Sequence, residues 1–353
     1  MASESEILFE RRGTAGLVTL NRPKALNAVT HGMVQALARQ LAAWANDPAV
    51  SRVVVTAAGG RAFSAGGDIR MLYDLGRAGR QAEMLPFYRD EYVLNTAIKR
   101  YPKPYVTLID GIVMGGGVGV SVHGSHRVAG DRYLFAMPEV GIGFFPDVGA
   151  TWFLPRLPGE LGTYCALTGE RLGPADALGM SLATHRVPSA RFGELADALC
   201  SAISVDAVLA ACSVPADDPV VMPRQPAVDR LFAGDRIEDI LAALDREANA
   251  GGADAAFALA AAAAIRTKSP TSLKLALAQM RAGAGLSFDA CMRCEFRIVS
   301  RVVHGHDFYE GVRAVIVDKD NTPHWRPAAL AEVSDAEIAR HFAPLPSGEL
   351  ELP

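Results

Sequence analysis

The chain has 353 residues, 50% of them hydrophobic and 21% charged, with a formal net charge of −4. So much apolar text excludes disorder as the main state, and the near-neutral charge offers no clustered basic surface for nucleic acid. No apolar stretch reaches the ~18–20 residues needed to cross a bilayer, so neither nucleic acid nor a membrane is an expected partner.

Residues 1–10 carry acids and lack the basic start and apolar block of a secretory signal. They are also unlike an Arg-rich transit peptide, and a cytoplasmic protein is expected. The run 16–20 reads as a strand that Asn21-Arg22-Pro23 ends. From Thr30, an N-cap, Met33, Leu37, Leu41 and Trp44 recur at helical spacing as far as Asp47-Pro48. Val53, Val54 and Val55 form a buried strand. Residues 80–100 read as a helix, which Pro102 and Pro104 stop before the strand 105–109. This alternation predicts an α/β layout with helices covering a sheet.

Length gives a soft expectation of two domains, because single cores stop growing at about 250–300 residues. After Leu199 the text turns alanine-rich and helical, interrupted at 214–219 and at Met222-Pro223. The expected division is a catalytic core, 1–200, and a mainly helical region, 201–353, that covers the site. Within it, 255–265 reads as a packed alanine-rich helix. The proline-bearing tail from Thr322 is expected to wrap on the surface. Cys165, Cys200, Cys212, Cys291 and Cys294 are odd in number and scattered, which suits reduced thiols.

Two glycine-rich loops lie where a strand hands over to a helix: 62–69, holding Gly66-Gly67-Asp68, and 111–119, holding Gly115-Gly116-Gly117. Glycine permits positive φ and close backbone approach, and free N–H groups at a helix start suit negative charge. Two such loops can aim two donors at one oxygen, as an oxyanion hole requires. Tight strand-to-helix packing explains either loop alone. In a dinucleotide fingerprint Val122 would occupy the third small position, and no Gly-Lys-Ser/Thr follows either loop. Downstream, Glu139 and Asp147 stand in largely apolar text. Such acids are either solvated turn residues or a pair able to share proton work, one with its pKa raised by burial.

Other chemistry is weaker in the text. Gly119-Val120-Ser121-Val122-His123 lacks the second glycine of a nucleophile elbow. His304 and His306 have no partner set for a metal, and Cys291-Met292-Arg293-Cys294 is a lone pair of thiols in helical text.

In order and spacing, 22–28, 63–68, 114–117 and Met137-Pro138-Glu139 resemble the crotonase superfamily, the enoyl-CoA hydratase/isomerase family. The likeness runs from about Ile7 to Asp320. It implies a crotonase-like ββα spiral core with a helical C-terminal region, self-associating as trimers. It also implies an acyl-CoA substrate whose thioester oxygen is held by the N–H groups of Gly67 and Gly116. CoA would lie along Lys24, Leu26 and Ala65, as part of the substrate; no separate cofactor and no metal are implied.

Within the superfamily, Glu91-Tyr92, the segment 135–149 and the run 307–320 are most similar to the 3-hydroxyisobutyryl-CoA hydrolases. That likeness implies a thioester hydrolase of valine breakdown, with Glu139 and Asp147 catalytic and Glu91, Gly116, Glu139 and Asp147 touching substrate. Hydratases of the superfamily use a second glutamate three residues after the middle glycine of the second loop, and here that residue is Gly119. Dienoyl-CoA isomerases also place an Asp eight residues after the Glu, so isomerisation is an alternative, as is a crotonase-like CoA binder without turnover.

Overall fold

The valine-rich run at 52–57 lies inside a sheet covered on both faces, where alternating β-branched side chains all find apolar neighbours. The computed structural model describes residues 5–346 and 348–353. The strands are β1 (Ile7–Arg12), β2 (Ala15–Leu20), β3 (Arg52–Ala57), β4 (Ala62–Ser64), β5 (Tyr105–Ile109), β6 (Ile112–Met114), β7 (His126–Ala129), β8 (Leu134–Ala136) and β9 (His185–Arg186). One sheet has the order β1-β2-β3-β5-β7-β9, antiparallel between β1 and β2 and parallel elsewhere. A smaller parallel sheet is β4-β6-β8.

The chain climbs between these sheets in repeated steps. β3 passes to β4, β5 to β6 and β7 to β8, each pair placing one strand in the large sheet and one in the small. Helices α1 (His31–Asn46), α2 (Ile69–Arg77), α3 (Leu85–Lys99) and α4 (Gly116–Ser121) fill the intervals. Thr30 caps α1, its hydroxyl accepting from Met33 N at 3.2 Å, and Met33, Leu37, Leu41 and Trp44 are buried as the spacing predicts.

Side-chain alternation divides the large sheet between two cores. Leu17, Val54, Val106, Leu108 and Val128 face helices Phe192–Ser201 and Val205–Cys212, whereas Val18, Val53, Val55 and Ile109 face the main core. Helices Ala255–Arg266, Pro270–Gly283 and Phe288–Val302 pack into that main core. All five cysteines are free and buried.

Two local expectations differ from the structure, and β1 is a strand that no expectation covered. Residues 80–100 are a 3-10 turn, Gln81–Glu83, followed by α3, with Pro86 in its first turn, where a missing N–H costs nothing. β1 arises within a stretch whose polar outward residues hid its pairing with β2. The tail is more than a surface wrap. Helix Asp335–Phe342 buries Ile338, and Leu350 is buried as well, with Arg297 pairing to Glu349 at 2.9 Å.

Candidate active site

The small sheet builds the site. Parallel neighbours lie ~4.8 Å apart, so the carboxyl ends of β4, β6 and β8 deliver successive chain reversals side by side. Those reversals carry Gly66-Gly67, Gly115-Gly116 and Glu139. This is the place where open α/β sheets hold ligands.

Gly115 adopts φ 45° and ψ −124°, a backbone region that a side chain forbids, and this turns the chain into α4. Among the described residues no protein acceptor faces the N–H of Gly67 or of Gly116. A β carbon on Gly116 would stand 3.1 Å from the Gly67 nitrogen and 2.6 Å from Glu91 Oε1. The two amides therefore flank one small space, with an acid beside it. The segment 22–28 is pinned alongside: Leu26 O accepts from Ala65 N at 3.0 Å, and the Asn27 side chain donates to Ala58 O and Ala62 O, each at 2.9 Å.

From the opposite side, α3 presents Tyr88, Glu91, Tyr92 and Asn95, spaced as one helical face and all buried. The Tyr92 hydroxyl donates to Asp147 Oδ2 at 2.8 Å. The turn bearing Asp147 is gripped from behind. Gln279 donates to Pro146 O at 3.0 Å, and Glu295 accepts from Gly149 N at 2.7 Å and Thr151 N at 2.9 Å.

A cavity of about 470 Å³ results, lined by Leu26, Ala65, Gly67, Glu91, Gly116, Glu139 and Asp147 among others. Seven sequence-selected positions thus converge. Lys24 does not line it; it is exposed on the 3-10 turn Pro23–Ala25, whose Ala25 reaches the rim.

Electrostatics at the site are dominated by burial. Desolvation, reinforced by Asp147, holds the Glu139 carboxyl well above the ordinary carboxylate range, and desolvation with the charges of Asp147 and Glu295 does the same to Glu91. Asp147 is pushed up to about 7 by burial, against the pull of the Tyr92 hydrogen bond, and Glu295 to about 8, also chiefly by burial. Asp147, so tuned, exchanges a proton near neutral pH, as general acid–base work requires. Glu139 Oε2 and Glu91 Oε1 are buried without a protein partner. The solvated-turn reading of Glu139 and Asp147 is thereby removed.

Ser121 is buried within α4 and donates to Gly117 O at 2.8 Å, while His123 bonds Val148 O at 2.7 Å and is pushed down to about 4 by burial. They form no nucleophile–base pair with each other. No group of three or more His, Cys, Asp or Glu side chains is arranged for a metal among the described residues. At Gly119 a β carbon would meet Asn95 Nδ2 at 2.8 Å and Val148 Cβ at 2.9 Å, so the position lacks room for a second acid.

Sequence reasoning assigned no role to Tyr88, Tyr92, Glu295, Val315 or Ile316. The last two reach the cavity from the π-helical turn Arg313–Val317. For Glu295 the signal was present as an acid on an otherwise apolar helical face. Glu295 stands between Cys291, Met292, Phe296 and Val299, all buried.

Residues 15–342 match the family described as Enoyl-CoA hydratase/isomerase. The chain belongs to this family, the crotonases. A Danio rerio relative named 3-hydroxyisobutyryl-CoA hydrolase, mitochondrial, is 45% identical over 99% of this crotonase and 92% of its own length. A Xenopus laevis protein of the same name is 43% identical, over 98% and 90%. The crystal structure of a carnitinyl-CoA dehydratase from Mycobacterium thermoresistibile is 44% identical, with a TM-score of 0.92 and 99% of each chain covered. The expected crotonase-like spiral is thus the fold observed.

The expected cytoplasmic location is corrected by these comparisons, since both animal relatives are named mitochondrial. The composition of residues 1–10, of which 1–4 lie outside the described residues, does not report where a protein works.

Proposed function

We propose that this crotonase hydrolyses 3-hydroxyisobutyryl-CoA to 3-hydroxyisobutyrate and CoA, a step of valine breakdown. The names of relatives at 43–45% identity support the substrate. The observation that carries the reaction type is that Glu139 and Asp147 line one cavity with two free amides, with no room for an acid at Gly119.

The thioester oxygen is held between the N–H groups of Gly67 and Gly116. Attack on the carbonyl carbon puts negative charge there, and each donor is worth about 10²–10³ in rate. Glu139 delivers the attack, by activating water or by bonding to the carbonyl carbon itself. Asp147, steadied by Tyr92, and Glu91 orient the polar end of the acyl group. CoA extends along Leu26 and Ala65, with Lys24 as an exposed cation on the adjoining turn. The region 201–353 steadies the core 1–200 through Gln279 and Glu295, and carries the contacts of a trimer.

The name of the Mycobacterium thermoresistibile structure favours a second reading, removal or addition of water at a double bond. That chemistry uses two proton-transfer groups flanking the bond, and Gly119 supplies none. A product panel decides between them. Thiol release from 3-hydroxyisobutyryl-CoA supports the hydrolase. Hydration of an enoyl-CoA, or a shifted double bond in a dienoyl-CoA, without thiol release overturns it in favour of hydratase or isomerase, and no turnover at all favours a CoA-binding protein.

A further inference from the structure

Tyr88 lies on the α3 face that borders the cavity and is 1% exposed. Its hydroxyl is buried and has no hydrogen-bond partner. Tyr92, Tyr101 and Tyr105, by contrast, donate to Asp147, Leu41 O and Val120 O at 2.8, 3.0 and 3.0 Å. A buried hydroxyl left unpaired is destabilising, and phenylalanine would pack equally well were packing the only demand.

The ring cannot swing its hydroxyl elsewhere. It is stacked on Phe144 at 5.7 Å between centroids, with Phe87 edge-on at 5.3 Å and Tyr92 tilted against it at 6.2 Å. Burial, and then the charges of Asp147 and Glu91, push its ionisation well above that of an ordinary phenol, so it remains a donor. One turn along the same face, Glu91 Oε1 is likewise buried and unpaired. A fixed donor and a free acceptor thus stand three residues apart on one helix, where side chains are neighbours.

An alcohol both accepts and donates one hydrogen bond, and this pair offers the complement. An acyl thioester has a second acceptor in its carbonyl oxygen, but the amides of Gly67 and Gly116 are matched to that. We propose that Tyr88 is a specificity-determining residue that donates to the 3-hydroxyl oxygen of the acyl group while Glu91 accepts from the same hydroxyl. The proposal rests on the hydrolase reading and deepens it, by assigning the discrimination between hydroxyacyl and plain acyl thioesters to the Tyr88 phenol.

The test compares thiol release from 3-hydroxyisobutyryl-CoA and from isobutyryl-CoA, which lacks the hydroxyl, in the wild-type full chain and in Tyr88→Phe. The ratio of the two kcat/KM values is expected to fall about 10- to 100-fold in the variant. Because the ratio is taken within one protein, any loss of folded material scales both rates alike and cancels. A ratio equal to that of the wild type overturns the proposal and leaves the hydrolase reading standing. Failure of the wild type to release CoA from either thioester overturns the hydrolase reading and this proposal with it.

Discussion

Tyr92 and Asp147, 55 residues apart in sequence, meet at 2.8 Å in a hydrogen bond buried at both ends. The phenol donates to the carboxylate, so it favours the ionised form and opposes the larger effect of burial. Activity that needs ionised Asp147 rises through about pH 7. Tyr92→Phe removes the opposing bond and moves this rise to higher pH. If the bond favours the anion by ~1.5 kcal/mol, the displacement is about one pH unit. A kcat–pH profile checks this, and an unmoved acid limb contradicts it.

Glu295 holds the same turn from the other side, accepting from Gly149 N and Thr151 N through its two oxygens. Glutamine retains one acceptor and sets an NH₂ group against the other amide. Glu295→Gln should lower kcat about 10- to 100-fold through displacement of Asp147, with a smaller change in KM. Retention of wild-type kcat would show that Glu295 merely packs.

Buried acids also link pH to stability. Asp147 has an ordinary pKa of 3.8 and a folded value of about 7. The folded state therefore binds more protons than the unfolded chain between those values, and the stability is present at low pH and lost as pH rises through about 7. His123, held neutral in the fold, works in the opposite sense, but it is common to wild type and variant. Asp147→Asn should thus gain Tm relative to wild type as the buffer moves from about pH 5 to about pH 8. A constant Tm difference across that range would refute the linkage.

Gly116 tolerates no β carbon without displacing Glu91 Oε1, which would stand 2.6 Å away. Gly116→Ala should therefore reduce thioester hydrolysis by about 10²–10³, the loss expected for one misplaced oxyanion donor. Kinetics on the folded variant test it, with circular dichroism confirming the fold. Near-wild-type turnover would mean that the amide is not a donor.

Much of this was legible in the text because local chemistry determined it. Thr30 and the spacing of Met33, Leu37, Leu41 and Trp44 specify α1, and the paired glycines at 66–67 and 115–116 announce chain reversals. Glu139 and Asp147 stood out as acids among apolar neighbours. What pairing determines stayed hidden. That β4, β6 and β8 lie adjacent is a tertiary fact, and it alone brings three reversals to one cavity. Tyr88 and Tyr92 read equally well as core aromatics; only the placement of each hydroxyl, one free and one on Asp147, separates their roles. Glu295 lies 148 residues beyond Asp147, and no local pattern joins them.

Glu139, which lines one cavity with the amide pair and Asp147, is the group proposed to deliver the attack on a thioester. Single-turnover release of CoA thiol from 3-hydroxyisobutyryl-CoA, by wild type and by Glu139→Gln side by side, tests it most directly. Stoichiometric thiol release by the wild type is expected, with a rate lower by about 10²–10⁴ in the variant, the usual span for losing a positioned acid–base group. Equal rates in the two proteins would contradict it.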